Sequence, residues 1–218
     1  MKKIKKGVYD VPLIVSESLK RDYDGLKQTI ISAQERIVEF AKRYNFLPLI
    51  EPSFMERVEI YDSQEAFKER LISFLNLNRN IELPKTISAV LENKVLISIS
   101  SKEYQNIYPI EGEDRLGFER LLTHELAHRF HVRILDGNEE AMGPNWFFEG
   151  FAIFASKQFL NFTCSEATIW DIIKNEKQVA YKYYAAIFSY LTKEINLNDL
   201  IHHAKDDNFY EWLRERIN

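Results

Sequence analysis

The feature that most constrains this chain is a change of hydrophobic period near residue 110. Before it, apolar residues alternate in places with the two-residue step of a strand. After it, they recur every three or four residues almost to the end. Arg57-Val-Glu-Ile-Tyr61 alternates and predicts a strand. Residues 86–91 and 94–100 read the same way, with Glu92-Asn93 as a tight turn, since Asn tolerates positive φ. Val95, Ile97 and Ile99 then share one face. Leu96, Ser98 and Ser100 share the other, which is small and polar enough to line a groove. From Asp114 on, helices are predicted near 114–131, 145–160, 164–175, 178–193, 198–205 and 207–216. The expected organisation is a mixed α/β lobe over 1–110 and an all-helical lobe over 111–218, forming one compact unit.

Two further helices are expected in the first part. Leu19, Tyr23, Leu26, Ile30, Ala33, Ile37, Phe40 and Tyr44 step by four and three, a single stripe on a helix over 18–45. Such a stripe packs on its own domain more often than on a second chain, and the oligomeric state stays open. Asp62 and Glu65 have the spacing of a capping box ahead of Phe67, Leu71, Phe74 and Leu75, and Thr163 and Glu166 have it ahead of the helix near 164–175.

Composition excludes several classes. Of 218 residues 45% are hydrophobic and 28% charged, and Gly and Pro number 7 and 6, which rules out a disordered or low-complexity chain. A net charge of −4 gives no footprint for nucleic acid. No apolar run reaches the roughly 20 residues needed to span a bilayer. Cys164 is the only cysteine, so neither an intrachain disulfide nor a cysteine-based zinc cluster can form. Met1-Lys-Lys-Ile-Lys-Lys carries the charge of a signal-peptide start. The apolar stretch after it is short and contains Pro12, so a solvated basic terminus and a cytoplasmic location are expected.

The chemistry is concentrated in His124-Glu125-Leu-Ala-His128. In a helix, residues four apart stand one turn apart on one face, so two imidazoles can reach the same metal ion. Glu125 lies beside them without being forced to bind, as a general base does. A catalytic zinc site needs a third protein ligand. His131 shares the face, but seven residues rise about 10.5 Å, too far for His124 and His131 to share one ion with bonds of about 2 Å. His131 is therefore expected at the helix end or facing solvent. Glu149 is the better choice. It is the only charge between Trp146 and Phe154, where an unpaired carboxylate is costly to bury. The small Gly150 and Ala152 suggest a close helix approach at the shared ion. The competing reading of Glu149 is an ordinary exposed helix glutamate. His202 and His203 diverge on a helix and read as surface residues.

His-Glu-Leu-Ala-His followed by Pro144-Asn-Trp-Phe-Phe-Glu149-Gly-Phe-Ala152 resembles the gluzincin zinc peptidases, closest to the peptidase-MA-like families, over roughly residues 57–200. The resemblance implies an α+β, zincin-like two-lobe fold with the zinc site between the lobes. It implies Zn2+ held by His124, His128 and Glu149, with Glu125 as catalytic base and acid acting on a peptide or protein substrate. It also implies that the strand over 94–100 is the substrate-binding edge strand, and that a tyrosine of the C-terminal lobe stabilises the oxyanion. Tyr183 is chosen for that role over Tyr184 and Tyr181. Some gluzincins place an Asp four residues after the glutamate ligand; here that position is Ile153. The alternative function is a non-catalytic zinc-binding or protein-interaction domain that retains the fold.

Overall fold

A computed structural model of the chain describes residues 8–50 and 54–217, so the basic N-terminal segment lies outside the described residues. The structure is mixed α/β, mostly helical, with one small sheet. Among the described residues no helix is long and apolar enough to cross a membrane. The chain divides into two compact units. The first runs through Glu35 and resumes up to Glu125; the second holds Arg36–Ile50 and everything from Leu126 on.

The first unit is built on a four-stranded sheet of order β1-β2-β4-β3, with β1 at Leu13–Val15, β2 at Arg57–Tyr61, β3 at Ala89–Glu92 and β4 at Val95–Ile99. β1, β2 and β4 run parallel, and β3 is antiparallel to β4. Asn93 and Lys94 both adopt positive φ, 46° and 61°, which is the mirror-image turn that suits a two-residue hairpin. The expectation that the strand over 94–100 is an edge strand is corrected here: β4 is paired on both sides, and the edges are β3 next to it and β1 at the far side. The expected polar groove on β4 is not open either. Leu96, Ser98 and Ser100 are buried, and the Ser98 hydroxyl donates to the backbone carbonyls of Ser88 and Ile99. Strand β1 was not foreseen, because three residues are too few to show a period.

The predicted helix over 18–45 is a short 3-10 turn, Glu17–Asp22, followed by α1 at Tyr23–Arg43. Its apolar stripe is covered within the chain, with Leu26, Ile30, Ala33, Ile37 and Phe40 buried. Helix α2, Gln64–Phe74, packs on β2 and β4. Its cap is Ser63, whose side chain accepts from the Ala66 N–H; the expected cap Asp62 instead accepts from the Ser18 hydroxyl. Facing α2 from β2, Glu59 is 3% exposed and carries a cluster of charge. Arg70 donates to both of its oxygens at 2.7 and 3.0 Å, Arg57 to one at 2.8 Å, and the Tyr61 hydroxyl to the other at 2.9 Å. Paired this way, a buried carboxylate is tolerated in the middle of a sheet.

Two helices that the sequence reading missed follow β4: α3 at Ser101–Ile107 and α4 at Pro109–Glu113. Both are too short to show an apolar stripe. They lead into α5, Gly117–Ile134. A Cβ at Gly117 would stand 2.0 Å from the carbonyl oxygen of Glu111, so only glycine lets α5 begin this close to α4.

The second unit is helical: α6 at Asn145–Ser156, α7 at Glu166–Asn175, α8 at Tyr181–Glu194, α9 at Leu197–His203 and α10 at Phe209–Ile217. The cap of α7 is Ser165, accepting from the Thr168 N–H, not Thr163 as the capping-box spacing predicted. An aromatic core fills the unit. Phe40 meets Phe130, Phe151 and Phe154 edge-on, and Phe147 packs against Phe188 and Phe209. Gly150 does open a close approach, but toward α8: a Cβ there would come within 2.5 Å of the Phe188 ring. That corrects its expected role at the histidine helix.

His131 is also corrected. It is fully buried, its ring stacked on Phe151 with centroids 4.3 Å apart, and neither ring nitrogen has a hydrogen-bond partner among the described residues. The reading of it as solvent-facing counted only the rise along α5 and not what covers that face further on. Burial, with the nearby His128 adding to it, pushes its pKa down to about 3.

These two groups predict an acid response in two stages. His131 is neutral when folded but accepts a proton near 6.5 when unfolded, so stability falls as pH drops from about 6.5 toward 3. The Glu59 carboxyl, held down to about 2 by Arg70 first and by Tyr61 and Arg57, adds stability that is full above about 4.5 and drains away as pH falls toward 2. Thermal unfolding of metal-free protein against pH checks both. His131→Phe should flatten the decline between pH 6.5 and 4.5, and Glu59→Gln should flatten it below 4.5. At pH 7 Glu59→Gln should cost of order 2 kcal/mol, less than breaking a fully buried pair, because Arg57 and Arg70 keep about a third of their side-chain surface in water. Profiles parallel to wild type in both variants would refute the assignment.

Candidate metal centre

Helix α5 is fixed at its start by Asp114. One Asp114 carboxylate oxygen accepts from the Leu116 N–H at 2.9 Å, its carbonyl accepts from the Gly117 N–H at 2.7 Å, and its other carboxylate oxygen pairs with Arg120. The helix then runs unbroken through His124, Glu125 and His128, as their spacing predicted. Helix α6 opens after Pro144, whose carbonyl takes the first amide donors, from Phe147 and Phe148, at 2.8 and 3.0 Å. Trp146, 2% exposed and stacked on Phe209, anchors that first turn. Glu149 comes one turn in, carried on a helix whose next four residues are all buried or nearly so.

His124, His128 and Glu149 converge. One ligand atom from each lies within 4.8 Å of the others, and His128 Nε2 stands 3.7 Å from Glu149 Oε2. Ligand atoms on a tetrahedral zinc ion are about 3.3 Å apart, so seating an ion asks the farthest pair to close by about 1.5 Å or less. The donor set of two imidazoles and one carboxylate is one that zinc takes in catalytic sites, with a fourth position left open. His124 is 5% exposed, and the side chains of His128 and Glu149 are 18% and 15% exposed. The group is sheltered yet reachable by solvent.

Phe148 was missed by sequence reasoning. Its ring lies face-on against His128, with centroids 4.0 Å apart and planes 20° apart. Stacking holds the imidazole plane while leaving its edge, where the nitrogens are, toward Glu149. The sequence carries no direct signal for this contact, since Phe148 adjoins Glu149 and not the His128 on which it stacks. Ile153, at the position where some gluzincins carry an aspartate, is fully buried and offers no polar group.

Glu125 is half-buried on α5 next to His124. The three tyrosines of α8 have different settings. Tyr184 is buried, its hydroxyl at 3.4 Å from the Lys177 carbonyl and the Val179 N–H. Tyr181 is 44% exposed. Tyr183 packs edge-on against Phe162 at 5.0 Å, with the Lys182 ammonium near both rings. The histidines of α9 are engaged locally: His202 Nδ1 is 2.8 Å from the Asn198 carbonyl. His203 Nδ1 is 2.7 Å from Asp206 Oδ2, and its ring stacks on Trp212.

Set against known proteins, the chain is matched by no family model, no curated protein and no solved structure.

Proposed function

We propose that this chain is a zinc-dependent peptidase of zincin-like fold. The observation that carries the reading is the convergence of His124, His128 and Glu149 to within 4.8 Å, with Glu125 on the same helix beside the first ligand. A zinc ion held by these three would supply an acidified water and a polarised scissile carbonyl. The chain's own residues do the rest. Glu125 takes up a proton and returns it to the leaving amine nitrogen. Phe148 keeps the His128 ring in its binding plane. Tyr183 is assigned as the hydroxyl donor to the developing oxyanion.

An extended peptide adds to β3 rather than β4. The Ile99 N–H bonds the Ser88 carbonyl, so in the antiparallel register Val90 and Glu92 turn their backbone groups toward β4, and Ala89 and Leu91 turn theirs outward. Those outward groups are the ones a substrate strand would pair with. The lone Cys164 and the absence of a spanning helix among the described residues are compatible with a cytoplasmic enzyme.

The retained Glu125 separates an enzyme from a domain that only binds zinc, because a purely structural site needs no base. Glu125→Gln keeps the shape and removes the proton acceptor. The variant should bind zinc and peptide as wild type does, with kcat lowered about 10²–10⁴-fold on any peptide the wild type cleaves. Equal turnover by the two proteins would refute the mechanism. No cleavage by zinc-loaded wild type across broad peptide libraries would favour the non-catalytic domain.

A further inference from the structure

Of the three arginines on α5, Arg120 is the one placed in line with His124, and the metal centre does not use it. Arg120 stands four residues before His124, so it lies one turn, or about 6 Å, further toward the start of the helix and on the same face. Its guanidinium is held in place rather than left to wave in solvent. One terminal nitrogen pairs with Asp114, which is itself locked by its bonds to Leu116 and Gly117. Only 23% of the side chain is exposed.

That pairing leaves the useful edge of the guanidinium unspent. A carboxylate binds arginine best through two parallel N–H bonds. The Asp114 contact takes only one terminal nitrogen, and the Nε of Arg120 is shielded from water with no acceptor among the described residues. A shielded donor without an acceptor costs about 1–3 kcal/mol. The second terminal nitrogen also has no acceptor among the described residues, and it is the donor through which a ligand on this face of the helix is met, with the shielded Nε joining once the side chain shifts.

We infer that Arg120 is a specificity residue which binds a carboxylate of the substrate, two or three residues from the bond to be cut. The offset follows from the rise of one helical turn plus the reach of the side chain, against about 3.3 Å per residue of an extended peptide. The carboxylate belongs either to the peptide's C-terminus or to an Asp or Glu side chain, and the chemistry is the same. This inference rests on the peptidase reading for its location but not for its test.

The test uses the whole zinc-loaded chain and a set of alanine-based decapeptides. Each carries one Glu or Gln at a defined position, with the C-terminus free or amidated. Calorimetry on the Glu125→Gln background reads binding without turnover, and mass spectrometry with wild-type protein reads cleavage. Peptides with a carboxylate at one position should bind at least 10-fold more tightly than their Gln or amide partners. Preference for the free C-terminus identifies one source, and preference for an internal Glu the other. Arg120→Gln should abolish the preference, with KM raised and kcat kept on any cleaved peptide, and Arg120→Lys should restore part of it. Asp114→Asn, which removes the same ion pair but leaves the guanidinium, should retain the preference; a merely structural role for the pair would make it behave like Arg120→Gln. Carboxylate-independent binding by wild type, or a preference unchanged in Arg120→Gln, would overturn the inference. Selective binding without any cleavage would leave it standing and count against the peptidase reading instead.

Discussion

The site depends on a seam of aromatic stacking. Imidazoles on α5 lie face-on against phenyl rings on α6, His128 on Phe148 and His131 on Phe151. Both pairs repeat at a helical step, three residues on each helix, so the contact fixes the register of one helix along the other. With the register set, Glu149 is brought to 3.7 Å from His128. Dispersion and ring electrostatics set this register, with the Nε2 edge of His128 turned toward Glu149. His131 carries the cost. It is a histidine in an apolar core, and burial lowers its pKa, so protonation in acid works against the seam.

Around this seam the rest of the second unit is support. Phe147 and Trp146 tie the start of α6 to Phe209, and Gly150 lets α8 lie against its back, so α6 is held on the sides that do not face α5. In the first unit, Asp114 and Gly117 fix where α5 begins, which sets the height at which Arg120 and His124 stand. The Glu59 cluster performs a different task. It joins α2 to the sheet through charge-assisted hydrogen bonds from Arg70 to Glu59, with Arg57 bonding the same carboxylate from within β2.

Much of this is legible in the residues. The four-residue step of His124 and His128 requires a helix, and a lone carboxylate in the apolar run from Trp146 to Phe154 requires a partner. Strand β2 shows its period over five residues, and Asn93 marks the hairpin. The misreadings share a cause: a local pattern was read without the tertiary partner that overrides it. Asp62 and Thr163 have capping spacing, but Ser63 and Ser165 reach the amides. Gly150 is small for the sake of Phe188, not for the ion. His131 looks like a helix-end residue until the phenyl rings of α6 cover it. Sheet order is not written in a strand's own residues, so β4, already paired with β3 in the expected hairpin, is taken for an edge until β2 is seen on its other side.

The central claim is that His124, His128 and Glu149 together hold one zinc ion. X-ray absorption at the zinc edge, on protein purified without added metal and dialysed, tests it most directly. The account predicts about one zinc per chain in a four-coordinate shell of nitrogen and oxygen, with the multiple-scattering signature of two imidazoles. In Glu149→Gln the affinity should fall by at least 10-fold, while His131→Phe keeps the full complement. A chain that takes up no zinc after supplementation, a shell containing one imidazole or none, or zinc lost in His131→Phe and kept in Glu149→Gln would contradict it.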